Sequence, residues 1–317
     1  MREPSDHGQD EADSGPHGPG ETTSRLEPRV VAELRRWLAE PLSSGLYLVA
    51  TPIGNLGDIT LRALAVLSRA DVIYCEDTRH SRHLTAHFGI ERPLRPYHEH
   101  NADAERPRVL EGLAAGRVIA LISDAGTPLI SDPGFKLVRE AVAAGHAVTA
   151  LPGASAVLAG LTVSGLPTDR FHFAGFLPSR DGQRRTRLTE LSATPATLIL
   201  FEAPNRAAAA LADIAEIMGG DRPVAVAREL TKRFEEVRRG TASEVAAWAA
   251  GEAPRGEVVL LVGQPPARDA TETEIEAALA ELLSSHPLKE AARTVADRLA
   301  VPRTRAYEIG LRLKARE

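Results

Sequence analysis

The chain is poor in cysteine, in aromatic side chains and in long apolar runs, and each shortage closes off a class of protein. Its 317 residues include a single cysteine, Cys75, which excludes an intrachain disulfide framework and a cysteine-based zinc site. No apolar run approaches the roughly 20 residues that span a bilayer, and the N-terminus shows no signal-peptide pattern. The expectation is a cytoplasmic protein with no membrane partner. Aromatics make up 4% of the residues against 43% hydrophobic overall, enough for ordinary aliphatic cores. At this length two domains with appendages are expected.

What charge there is lies unevenly. Residues 1–28 hold seven acids and two bases, which accounts for the whole net charge of −5. That segment is rich in Gly, Pro and Ser and is predicted to be a disordered acidic tail. Residues 288–317 carry eight bases against four acids, a basic end that suits a polyanion.

Between these ends the apolar pattern predicts an α/β protein. Strands are expected at Leu46–Ala50, Val72–Cys75, Val118–Ser123 and Ala147–Leu151, alternating with helices at Thr60–Ser68, Thr78–Phe88, Asp103–Ala115 and Phe135–Ala144. This is a largely parallel first domain, residues 45–165. A second α/β domain, residues 166–265, is predicted to be mixed or antiparallel, because its last three strands have short connections. The segment Gly263 to Ala270 reads as a linker. A helical module, residues 272–317, follows, and its last two helices have a helix-turn-helix form with Pro302 opening the second.

Three first-domain strands run into small, turn-forming residues: TPIGNLGD from Thr51, SDAGTPLISDPG from Ser123, and LPGAS from Leu151. Such residues let a ligand approach the backbone, and a shared strand-end crevice is expected. Asp58 is placed to cap the following helix, and Asp132–Pro133–Gly134 to cap the helix starting near Phe135. Glu76 and Asp77 have the spacing of the acidic ribose contact in a dinucleotide fold, but the loop before them lacks its glycine fingerprint. The YHEHN segment around His98 and His100 lacks a third ligand at metal-binding spacing, so no metal is expected there and a substrate loop is preferred.

Arg180, Arg184, Arg185 and Arg187 cluster beside a Gly-containing turn. They suit phosphates, and either an RNA-backbone loop or a solvated helix face fits them. Arg303 and Arg305, at the entry of the last helix, are the second candidate RNA contact. The group Arg228, Glu229, Lys232 and Glu236 reads equally as an ion-pair network or as chemistry.

Six segments occur in order: LVATPIGNLGDIT, YCEDTRHSRHL, LISDAGTPLISDPG, LPGASA, FEAPNR and ARELTKRFEEVRRG. Together they resemble the small-subunit ribosomal RNA branch of the tetrapyrrole methylase family, from about Leu46 to Gly263. The resemblance implies two α/β domains with S-adenosylmethionine in the cleft between them, and commonly a homodimer. It also implies 2′-O-methylation of a decoding-centre cytidine in 16S rRNA. Carried over by motif, the cofactor contacts are Pro52, Ala125, Gly126, Thr127, Ile130, Ser155 and Ala156, with Glu202 and Leu230 matching less closely. The catalytic candidates are Lys232, Glu229, Arg79 and Asp124. TPIGN departs from the GxGxGD loop of the tetrapyrrole-specific members, which favours RNA over a corrinoid. Two alternatives stay open: a small-molecule methyltransferase of the same fold, and a ligand-sensing DNA-binding regulator.

Overall fold

Short β-branched runs with side chains buried on both faces demand a sheet covered on each side. The computed structural model describes residues 19–266, 270–299 and 301–315. By its contacts the chain divides into one unit ending at Ala156 and a second beginning at Val157.

The first unit holds β1 (Gly45–Val49), β2 (Val72–Cys75), β3 (Leu94–Pro96), β4 (Val118–Ile122) and β5 (Val148–Leu151). They form a parallel sheet in the order β3-β2-β4-β1-β5. Strand alternation sorts the side chains into two aliphatic cores. Tyr47, Val49, Ile73, Cys75, Ala120 and Ile122 face one way, and Leu46, Val72, Tyr74, Ile119 and Leu121 the other. The connecting helices are α2 (Leu61–Arg69), α3 (Thr78–His87), α4 (Ala102–Ala114) and α5 (Phe135–Ala143), preceded by α1 (Pro19–Ala39).

Residues 1–18 of the expected acidic tail lie outside the described residues, and residues 19–28 correct the disorder expected for them by belonging to α1. That helix is stabilised by Arg36, which pairs with Glu33 and with Glu40 at i+4. Arg69 donates to the carbonyls of Trp37 and Glu40 at 3.1 and 2.6 Å, closing its C-terminal end.

The second unit opens with α6 (Ala156–Ser164). It continues through β6 (Phe171–Phe176), α7 (Asp181–Leu191), β7 (Thr197–Glu202), α8 (Pro204–Met218), β8 (Pro223–Arg228), β9 (Glu236–Thr241), α9 (Ala242–Gly251) and β10 (Val258–Val262). The strand order is β6-β7-β10-β8-β9, parallel for β6–β7 and antiparallel elsewhere, as the short connections predict. Val258, Leu260 and Val262 enter a core with Leu211, Ile214 and Val245. On the opposite face Gly160 of α6 lies against Val259 and Leu261, so α6 belongs with this sheet and the division precedes the expected residue 165.

Beyond the linker, α10 (Glu272–Leu283), α11 (Leu288–Leu299) and α12 (Arg303–Lys314) enclose their own core of Ile275, Leu279, Val295, Val301 and Ile309. Thr271 caps α10 in a reciprocal pair with Glu274.

Candidate functional site

In the first sheet Val49 pairs with Ile122 of β4 and with Leu151 of β5, so three strands end side by side. This is the carboxyl edge where parallel α/β sheets bind ligands. The three loops leaving it are tied together. Thr51 and Gly126 exchange backbone hydrogen bonds of 2.9 and 3.0 Å, and the Thr51 hydroxyl donates to the Ser123 carbonyl at 3.0 Å. The Thr127 hydroxyl donates to the Ala154 carbonyl at 3.1 Å. Thus Pro52, Ala125, Gly126, Thr127, Ser155 and Ala156, expected together from sequence, stand on three joined loops of one edge.

The backbone here is unusual. Gly126 sits at φ +83, and a Cβ there would lie 3.1 Å from the Ile53 side chain. Leu129 and Ser131 adopt positive φ of 73 and 63, and among the described residues the other non-glycine cases are Glu229 and Thr231. Side chains tolerate that region only where surroundings enforce it, and such strain gathers at ligand sites. Ala125 and Ile130 are exposed on this loop.

The acids around the edge have defined duties. Asp124 accepts the Asp77 amide at 3.0 Å, joining the ends of β2 and β4. Asp77 caps α3 and forks Arg79, which holds its carboxyl far below the usual range; Arg79 itself is almost fully exposed. The Ser123 hydroxyl bonds the Asp132 carboxylate, and burial pushes Asp132 up. Glu76 is also raised, first by desolvation and then by the carboxylates of Asp132 and Asp124. One expected cap is corrected: Thr60, not Asp58, caps α2, because its hydroxyl reaches the Ala63 amide. The other holds, with Gly134, the last residue of Asp132–Pro133–Gly134, as the N-cap of α5.

A second cluster lies at one edge of the second sheet. Val258 pairs with Glu202 on one side and Arg228 on the other, so Glu202 and the Arg228–Lys232 loop share that edge. Glu202 is buried; its Oε1 takes Arg206 at 2.5 Å and the Ala203 amide at 2.8 Å, while Oε2 has no partner among the described residues. Leu230, on that loop, is buried.

Glu229 Oε1 accepts from Lys232 Nζ and from the Glu257 amide, both at 2.9 Å, and Lys232 also reaches Glu257 at 3.2 Å. The Glu257 amide and Lys232 lower the Glu229 carboxyl. Burial works against the Lys232 ammonium, but its two carboxylate partners outweigh it and raise its pKa. Lys232 is therefore a fixed cation and Glu229 a weak base. Arg228 pairs with Glu236 at 2.7 Å.

The arginine run is corrected. It forms α7 rather than a loop, and Arg184 is 6% exposed, held by Asp213 at 2.7 Å and Asp181 at 2.6 Å. Arg185 is forked between Asp213 and Glu216. A guanidinium already saturated by carboxylates is withdrawn from phosphate binding, which leaves Arg180 and Arg187 exposed or half-buried on the outer side. In the helical module Arg305 donates to the Ala270 carbonyl at 3.1 Å, so it anchors the linker, whereas Arg303 is exposed and loosely paired with Asp297.

The first-unit edge suits the S-adenosylmethionine that the resemblance implies. The loops there carry Ala, Gly, Thr and Ser, and a Cβ on Gly153 would fall 2.8 Å from that of Ala50, so the ends of β1 and β5 pack closely against each other. The orphaned Glu202 Oε2 is a further acceptor in the second unit.

A sequence profile of the tetrapyrrole (corrin/porphyrin) methylases matches residues 45–246, and one of the RsmI C-terminal HTH domain matches residues 269–314. The ribosomal RNA small subunit methyltransferase I of Mesorhizobium japonicum is 50% identical over 277 residues, covering 87% of this chain and 94% of its own. That of Pseudomonas aeruginosa is 46% identical, with 85% and 98% covered. Among solved structures, diphthine synthase superposes with a TM-score of 0.55 at 16% identity, covering 69% of this chain and 89% of its own. The methyltransferase CobJ gives 0.53 at 20%, covering 70% and 95%; both show a shared fold. With the profile spanning most of the folded body and relatives half identical across it, the chain belongs to the tetrapyrrole methylase family, in its ribosomal RNA small subunit methyltransferase I branch.

Proposed function

We propose that the protein transfers a methyl group from S-adenosylmethionine to the 2′-hydroxyl of a decoding-centre cytidine in 16S rRNA of the small ribosomal subunit. It would act in the cytoplasm as a homodimer. The carrying observation is the strained β4–α5 loop, residues 123–134, at the carboxyl edge of the parallel sheet in a chain whose relatives bear a small-subunit rRNA methyltransferase name.

The donor supplies an activated methyl on a sulfonium, so the chain's share is to orient the ribose, accept one proton and steady charge on oxygen. Lys232, kept protonated by two carboxylates, suits the last duty. Glu76 suits the second, because partial burial and then the neighbouring acids raise its pKa, whereas Glu229 is tied up by its donors. Arg79 and Asp124 fit positioning: one forks the α3 cap and the other joins two strand ends. Of the arginines expected to meet RNA, Arg180, Arg187 and Arg303 are still offered to phosphate.

The test is transfer of labelled methyl to small subunits that lack the modification, with the labelled nucleotide mapped and checked for resistance to alkali. Label in one cytidine is expected. Lys232→Ala should lower kcat by about 100-fold or more, as loss of a charge-stabilising donor does, and Lys232→Arg should recover part of it. Label absent from RNA but present in a small molecule would overturn the reading.

A further inference from the structure

The second unit carries a pocket of about 440 Å³ beside the Lys232 loop, lined by Arg228, Glu229, Phe234, Trp248, Arg255 and Gly256 among others. That volume lies in the roughly 300–1,000 Å³ range of small-molecule sites. The chemistry proposed above leaves it unused.

Its walls combine two kinds of group. Phe234 is 65% exposed, in a chain with few aromatics to spare. Trp248 is half-buried, packed against the core of the second sheet. Each ring has a guanidinium over it: Arg233 lies 5.5 Å from the Phe234 centroid and Arg238 5.5 Å from that of Trp248. Arg238 and Arg255 have no carboxylate partner among the described residues. Of the two lining acids, Glu229 is neutralised by Lys232 and the Glu257 amide, and Glu252 has no cation on it among the described residues. Gly256, at φ +78, lies so close to Glu229 that any Cβ would collide with its carboxylate, which fixes that wall.

Flat apolar rings next to unpaired guanidinium groups select a ligand that is planar at one end and anionic at the other. A paired base would hide the face on which stacking depends. We infer that this pocket binds an unpaired nucleotide of the RNA substrate, with the base against Phe234 and Trp248 and the phosphate on Arg255. The inference rests on the RNA-methylation reading and deepens it. Glu229 both lines the pocket and holds Lys232 at 2.9 Å, so a nucleotide seated there adjoins the cation of the proposed chemistry.

The chain has two tryptophans, Trp37 and Trp248, so Trp37→Phe leaves Trp248 as the only indole. That variant is titrated with a short oligocytidylate RNA, following indole fluorescence and, with a labelled oligomer, anisotropy. Saturable quenching that tracks anisotropy is expected. Adding Phe234→Ala should weaken binding at least fivefold, the equivalent of about 1 kcal/mol or more of stacking, and Arg255→Glu should weaken it further at low salt. Circular dichroism checks that each variant is folded. Binding without Trp248 quenching, binding indifferent to Phe234→Ala, or no binding at all would overturn the pocket. Methylation of small subunits by the same variants separates the two claims. RNA label with an unchanged KM in Phe234→Ala sinks the pocket and keeps the function. Quenching with no methyl transfer to any RNA keeps the pocket as a nucleotide site and sinks the function.

Discussion

Arg184 and Asp213 are each less than a tenth exposed, and their 2.7 Å contact is shared with Arg185 on the other carboxylate oxygen. Removing one partner of a buried pair strands the other, at about 3–5 kcal/mol. Here Arg185 would still hold Asp213, so Arg184→Ala should destabilise by about 2–3 kcal/mol in denaturant unfolding. RNA affinity in the folded fraction should not change; a loss equal to that of Arg187→Ala would return Arg184 to the RNA surface. Asp132 makes the opposite case, a carboxyl raised in the folded state by burial. Such a group adds stability below its unfolded pKa of about 3.9 and loses it as pH rises through the folded value. At neutral pH its charge is a burden. Asp132→Asn, which keeps a partner for the Ser123 hydroxyl, should raise Tm by about 2–4 °C at pH 7, a gain that fades toward pH 4. A gain of equal size at both pH values would refute the burial argument.

The β4–α5 loop shows what an element can conceal. Its composition of Ser, Asp, Gly and Pro announces a ligand-bearing turn, and the structure puts it on the expected edge. Which residues take left-handed backbone is not written in composition: Leu129 and Ser131 do so between Gly126 and Gly134, which have positive φ themselves. Gly126→Ala would place an L side chain at φ +83 against Ile53, a strain of about 1–2 kcal/mol. The expected result is S-adenosylmethionine binding weakened roughly tenfold by calorimetry, with a small drop in Tm; unchanged affinity would separate this loop from the donor site. The long strands and the last two helices are legible because two-residue and 3.6-residue periods differ plainly. β3, with three residues and a proline, gives no such period, and polarity hides α7. Only one side of α7 is apolar, through Leu188 and Leu191, and its buried Arg184 reads as surface. The pocket at Phe234 and Trp248 is equally illegible, since the two rings come from a turn and a helix 14 positions apart.

At the scale of the molecule, separate cores imply separable duties. The helical module closes its own core around Ile275, Val295 and Ile309, and the methylase sheets close theirs without it. Its outer surface carries Lys289, Arg293 and Arg303 around one open groove with Tyr307, whereas Arg305 is spent on the linker carbonyl. A chain ending at Pro266 should therefore bind S-adenosylmethionine within about twofold of the full protein yet need far more small subunit to reach half its rate. Salt provides the sharper reading. Each phosphate contact steepens the fall of log affinity with log salt by about 0.7 to 0.9. Loss of three exposed bases should flatten the slope by about 2. Restoring the module with Lys289, Arg293 and Arg303 all changed to Gln should leave the slope flat while the module folds. If instead that variant regains the full slope, the module serves as a packing unit and the phosphates are held by the methylase body alone.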